Sequence, residues 1–206
     1  MIDHQCKIAK KCSSCQLSNL SLQEQLRYKQ NICKKHIGSI CEIKPIVSCD
    51  TDSCDTNSCG SYRYRNKAQF VYVKEGSGKK AAYKKAIYQS KFGSSIATFD
   101  CLLCTIRANK TADILSSLLF SFKVPLYDKK TDRGWLKSVV IREGARSLEM
   151  MVILSGKSLD FPAKSTFVSA LIKKCPYITT VIVTENKSDD KLFIGKNYKI
   201  LYGEGK

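Results

Sequence analysis

Three cysteines stand close together near the start of the chain. Cys6, Cys12 and Cys15 fall in CKIAKKCSSC, a Cys-x5-Cys-x2-Cys pattern. A Cys-x2-Cys turn aims two sulfurs at one point, and a third thiol this near can reach the same centre. A closed tetrathiolate site needs one more ligand from farther along the chain. The chemistry implied is binding of a zinc ion or an iron–sulfur cluster. Ordinary reduced cysteines are the plainer alternative. Ligand-like spacing and eleven cysteines in 206 residues weigh against it.

Two residues can supply the fourth sulfur, Cys101 and Cys104, in Asp100-Cys101-Leu102-Leu103-Cys104. Cys12-x2-Cys15 with Cys101-x2-Cys104 would satisfy a zinc-ribbon template. That pairing leaves Cys6 unused and joins pairs separated by far more than the usual ~15–20 residues. A centre of Cys6, Cys12, Cys15 and one late cysteine suits an iron–sulfur cubane, whose irons accept ligands at unequal spacings. Lys7, Lys10 and Lys11 would offset the charge of its thiolates. Residues 49–61, CDTDSCDTNSCGS, repeat Cys49, Cys54 and Cys59 with no histidine nearby, and read as an exposed, low-complexity loop.

No catalytic residue stands out. KEGSGKK is not a phosphate loop, because Val73 holds the place of its first glycine and Lys80 that of its Ser/Thr. Gly203-Glu204-Gly205 lacks a following helix, and Cys175-Pro176 reads as a helix end. Charge is more informative. Thirty-five basic and 18 acidic residues give a net +17, which implies a polyanionic partner, most often nucleic acid. No stretch approaches the ~18 apolar residues of a membrane span. The opening MIDHQCKIAKK has no apolar segment of a secretory signal, so a cytoplasmic location with reduced thiols is expected.

The elements that must position these groups are legible. Ser21 caps a helix over 21–37, with Glu24 as its capping-box partner and Gly38 as its stop. Leu22, Leu26, Cys33 and Ile37 form its apolar stripe. YRYRNKAQFVYV reads as a strand that puts Arg63, Arg65 and Lys67 on one face beside Tyr62 and Tyr64, a row suited to RNA. A hairpin turn at 74–80 and short strands at 86–89 and 96–99 follow. Ile114, Leu115, Leu118, Leu119 and Phe122 predict a helix over 109–122. Strands are expected at 138–142, 148–155, 178–184 and 198–202, with a helix over 165–174. Lys137, just before the 138–142 strand, and Arg142, its last residue, join the candidate RNA contacts. The class is α+β: a small cysteine-rich cluster motif with an amphipathic helix, then a largely antiparallel sheet with two helices.

Read together, CKIAKKCSSCQLSNLSLQEQLRYKQ and YRYRNKAQF resemble the uracil-5 RNA methyltransferases, in the iron–sulfur branch that acts on 23S ribosomal RNA. GWLKSVVIREGARSLEMMVILSG is similar to that family's central segment, and NKSDDKLFIGKNYKILYGEGK to its lead-in to the catalytic domain. The resemblance implies that Cys6, Cys12, Cys15 and Cys101 hold a structural 4Fe–4S cluster and that the partner is 23S ribosomal RNA. Three features depart from the family: no β-barrel precedes Cys6, Gly93-Ser94-Ser95 lacks a histidine, and 49–61 looks inserted. The Rossmann-like methyltransferase domain, expected after Gly203, is expected to be absent. S-adenosylmethionine would then bind only if a separately encoded catalytic domain supplied its site, and the chain alone would be inactive. The expected division is a cluster motif at 1–17, a helical segment at 18–48 that packs on a catalytic domain, a loop at 49–61, and an RNA-binding α+β domain at 62–206. A free-standing RNA-binding protein dependent on a 4Fe–4S cluster or zinc, without activity, is the alternative.

Overall fold

The computed structural model describes residues 6–9, 11–12, 14–48, 62–89, 94–187 and 194–204. Helix α1 spans Leu22–Ile37. The Ser21 hydroxyl accepts from the Glu24 N–H at 3.3 Å, and the Glu24 carboxylate accepts from the Ser21 N–H at 2.8 Å, which is the expected capping box. Glu24 in the first turn and Lys34, Lys35 and His36 in the last suit the helix dipole. No α1 residue is buried.

Among the described residues seven strands form one sheet: β1 (Lys67–Glu75), β2 (Ala82–Gln89), β3 (Ser94–Ala97), β4 (Leu136–Glu143), β5 (Met150–Gly156), β6 (Ile178–Glu185) and β7 (Asn197–Tyr202). Their order is β3-β2-β1-β4-β5-β6-β7. Helices α2 (Ile106–Ser121) and α3 (Lys164–Lys174) connect β3 to β4 and β5 to β6. The β1–β2 hairpin turns at Gly76, where φ is 75° and a Cβ would stand 2.5 Å from the Lys80 carbonyl oxygen.

Two sequence expectations need correction. The sheet is mixed. β5 and β6 pair in parallel across the α3 crossover, the βαβ unit from which Rossmann-like sheets are built, and the remaining pairs are antiparallel. The strand expected from Tyr62 begins only at Lys67. Arg63 has φ 58°, and Arg65 makes a single bridge to Cys104, so Arg63, Arg65 and Lys67 share no strand face. The loop at 49–61, with Cys49, Cys54 and Cys59, lies outside the described residues.

Alternation along each strand divides the side chains between two faces. Phe70, Val139, Ile141, Val152, Leu154, Val181 and Val183 join Leu115 and Leu119 of α2 and Phe167 and Leu171 of α3 in the main core. The rings of Phe161 and Phe167 meet edge to face at 5.0 Å, and Trp135 lies 5.0 Å from Phe161. Gly156 admits that indole, since a Cβ there would stand 2.3 Å from it. The opposite face carries a small cluster of Val140, Ile153 and Ile182, with Met151 and Ile194 against it. Among the described residues no helix is long and apolar enough to cross a membrane.

Candidate metal centre

The first cysteines sit on consecutive tight turns. The Ala9 N–H donates to the Cys6 carbonyl at 2.9 Å, and the Cys12 N–H to the Ile8 carbonyl at 2.7 Å. The Ser18 hydroxyl donates to the Cys15 carbonyl at 3.1 Å. The Gln89 amide of β2 donates to the Lys11 carbonyl and fastens these turns to the sheet. Across from them, the segment 100–105 leads into α2, whose cap is Thr105, accepting from the Ala108 N–H at 3.0 Å.

That segment is held on two sides. The Asn109 side chain accepts from the Cys101 N–H at 3.0 Å and donates to the Cys101, Cys104 and Thr105 carbonyls at 3.0, 3.3 and 3.2 Å. The Arg63 guanidinium binds both oxygens of Asp100, at 2.8 and 2.6 Å, and donates to the Cys101 and Cys104 carbonyls at 3.2 and 3.1 Å. The Arg63 and Arg65 N–H groups donate to the Leu102 and Leu103 carbonyls, each at 2.8 Å.

Cys6, Cys12, Cys15 and Cys101 line a single cavity of ≈ 540 Å³, together with Leu22 and Leu26 of α1. Cys104 does not line it; Cys104 lines a neighbouring cavity of ≈ 270 Å³, to which Cys101 also contributes. Among the described residues, no three His, Cys, Asp or Glu side chains gather in a way that could hold one metal ion. A tetrahedral zinc with ~2.3 Å Zn–S bonds needs its sulfurs within roughly 4 Å of one another.

The electrostatics are those of thiols with cations nearby. Burial pushes the Cys15 thiol up, as does Cys101, while the Arg65 guanidinium opposes both. A hydrogen bond from Cys104 draws the Cys101 thiol down to about 6, and the same bond and burial push Cys104 up. Arg63 holds the Asp100 carboxyl below the usual range.

The five candidate RNA contacts do not converge. Arg63 is engaged by Asp100, and Arg65 stands beside the cysteines. Lys137 lies over the Tyr127 ring, 4.5 Å from its centroid. Lys67 and Arg142 face each other across β1 and β4. Sequence reasoning missed Asn109 altogether. Its one available signal was a polar residue within an apolar helical stripe, eight positions after Cys101.

No protein-family model matches the chain. An uncharacterised RNA methyltransferase of Clostridium tetani is 26% identical over 209 residues, spanning 100% of this chain and 43% of the relative. One of Halalkalibacterium halodurans is 27% identical over 203 residues, spanning 98% of this chain and 43% of the relative. The chain is similar to RNA methyltransferases along its whole length. It spans less than half the length of these curated relatives. The crystal structure of Pyrococcus abyssi tRNA (uracil-54, C5)-methyltransferase in complex with S-adenosyl-L-homocysteine matches with a TM-score of 0.65 and 19% identity, over 94% of this chain and 41% of that one. The expected α+β class, set apart from a Rossmann-like methyltransferase domain, gives way to a mixed-sheet fold shared with a methyltransferase over nearly all of the chain.

Proposed function

We propose that this chain carries the cysteine centre and RNA-recognition portion of an S-adenosylmethionine-dependent uracil-5 RNA methyltransferase acting on 23S ribosomal RNA in the cytoplasm. The observation that carries the reading is the meeting of Cys6, Cys12, Cys15 and Cys101 around one cavity, in a chain similar throughout to RNA methyltransferases. The group we assign to those four sulfurs is a 4Fe–4S cluster, whose irons accept ligands at unequal sequence spacings. When bound, it would tie residues 6–15 to the segment before α2. Its role is structural, joining the cluster motif at 1–17 to the RNA-binding domain at 62–206, while 18–48 forms the helical segment between. S-adenosylmethionine is the methyl donor of the whole protein, and no residue of this chain is assigned to it.

The ribosomal target follows from the cysteines, which the sequence resemblance ties to that branch. Deleting the gene in its source organism and measuring 5-methyluridine by mass spectrometry tests it. Loss from 23S ribosomal RNA is the expected result. Unchanged 5-methyluridine overturns the methyltransferase reading, and loss confined to transfer RNA overturns the ribosomal assignment.

A further inference from the structure

The sheet face opposite α2 and α3 is covered by no helix among the described residues, and its charge is one-sided. Lys67, Lys84 and Arg142 stand on it, and Glu75 is the one acid among the described strand residues there, at the far end of β1. Lys67 and Arg142 are directly opposite each other in the β1–β4 register, and both are exposed. Like charges placed directly opposite each other destabilise a strand pair. Among the described residues no carboxylate relieves this pair, although Arg63, Lys85, Arg107 and Lys157 each have one. A cross-strand cation pair with no carboxylate in ion-pair contact is suited to an external anion.

What lies beside the pair narrows the anion. Lys67 and Arg142 line a groove of ≈ 620 Å³ together with Met151, Ile153 and Ile194; two acids also line it, Glu149 and Glu143, the latter held by Arg107 and Thr105. Met151 is the register partner of Arg142 on β5, so the cations and the apolar floor are contiguous across neighbouring strands. Two cations beside an apolar shelf match a phosphate joined to a flat, largely apolar ring. Inorganic phosphate would use only the cations, and an apolar peptide only the floor.

We infer that this groove is a nucleotide subsite for single-stranded RNA, with Lys67 and Arg142 on one backbone phosphate and the attached base seated on Met151, Ile153 and Ile194. The inference rests on the RNA reading above and assigns it to a particular sheet face. Phosphate contacts of this kind position a strand without reading its sequence, and stacking or apolar seating tolerates every base.

The test is binding of the full chain to a short fluorescent single-stranded oligoribonucleotide across a salt series. Lys67→Gln and Arg142→Gln should each lower the salt slope by about 0.7, and the double variant should bind roughly tenfold more weakly. Met151→Ser should weaken binding with the slope unchanged, because it touches the base and no phosphate. Lys173→Gln and Lys174→Gln, at the end of α3, should leave both quantities alone. All these side chains are exposed or half-buried, so circular dichroism should report an intact fold for each. Salt-sensitive RNA binding that the double variant leaves unchanged overturns the groove and spares the RNA reading. No RNA binding at any salt overturns both. Equal displacement by polyglutamate, with Met151→Ser silent, reduces the face to an unspecific cationic surface and overturns the nucleotide subsite.

Discussion

The side chain of Asn109 closes on both backbone groups of Cys101, accepting from its N–H and donating to its carbonyl, each at 3.0 Å. Asn109 is buried, as is Cys101. Replacing it with leucine strands the Cys101 N–H away from water, where an unpaired donor costs ~1–3 kcal/mol. The carbonyls lose less, since Arg63 still reaches two of them. Asn109→Leu should therefore lower unfolding stability by about 2 kcal/mol in urea denaturation. A variant as stable as the parent would show that this clasp is not a structural determinant.

The two late cysteines should behave differently. Cys101 lines the cavity shared with Cys6, Cys12 and Cys15, and Cys104 does not. Anaerobic reconstitution with iron and sulfide should give brown protein with the iron and sulfide content of a 4Fe–4S cluster. Cys101→Ser should lose the colour and Cys104→Ser should keep it. Colourless protein with stoichiometric zinc would instead revive the ribbon pairing of Cys12 and Cys15 with Cys101 and Cys104.

Lys85 lies on the helix face of β2, 1% exposed, with its ammonium donating to the Asn109 carbonyl at 3.2 Å and paired with Asp113 at 2.8 Å. Removing only the carboxylate leaves a buried cation with one neutral partner. Removing only the cation leaves a carboxylate that already reaches water, with its side chain 62% exposed. Asp113→Ala should thus cost about 1–2 kcal/mol, while Lys85→Met, similar in length and apolar, should stay within about 1 kcal/mol of the parent. Thermal unfolding of both variants measures the asymmetry. Equal losses would mean that the pair acts as an ordinary surface bridge.

Much of this fold is written in local signals. The capping box of Ser21 and Glu24, the glycine turn after β1 and the apolar periodicity of α2 and α3 each depend on residues close in sequence, and each forms where those residues direct it. The failures are non-local. A parallel β5–β6 pair and an antiparallel one draw on the same apolar strands, so residue types do not reveal the pairing direction. Tyr62–Asn66 has strand-like composition, but the positive φ of Arg63 and its hold on Asp100 bend the chain away from the sheet. At the cysteine centre, spacing points to Cys6, Cys12 and Cys15 but leaves Cys101 and Cys104 open, because the choice depends on where the segment before α2 is pinned. Asn109 does that pinning from eight residues away.

Helix α1 ties a weakly packed element to the cysteine cavity. None of its residues is buried, and Leu22, Ile32 and Ile37 are 36%, 41% and 44% exposed. Each large apolar side chain left partly in water forgoes a share of the ~1.5–3 kcal/mol that full burial contributes. Its stability therefore leans on local terms, chiefly the capping box. An isolated helix of 16 residues is marginal on local terms alone. The amides of 22–37 should exchange hydrogen much faster than those of β4 and β5, which lie in the middle of the sheet. Ser21→Ala, costing about 1 kcal/mol of helix stability, should quicken that exchange roughly fivefold while leaving the sheet unchanged. Leu22 and Leu26 also line the cavity of the four cysteines. Filling that cavity by reconstitution should slow exchange in the first two turns of α1 and leave the last turn fast. Uniform protection along 22–37, equal to that of the central strands before and after reconstitution, would show that α1 is held by the sheet and not by the cysteine centre.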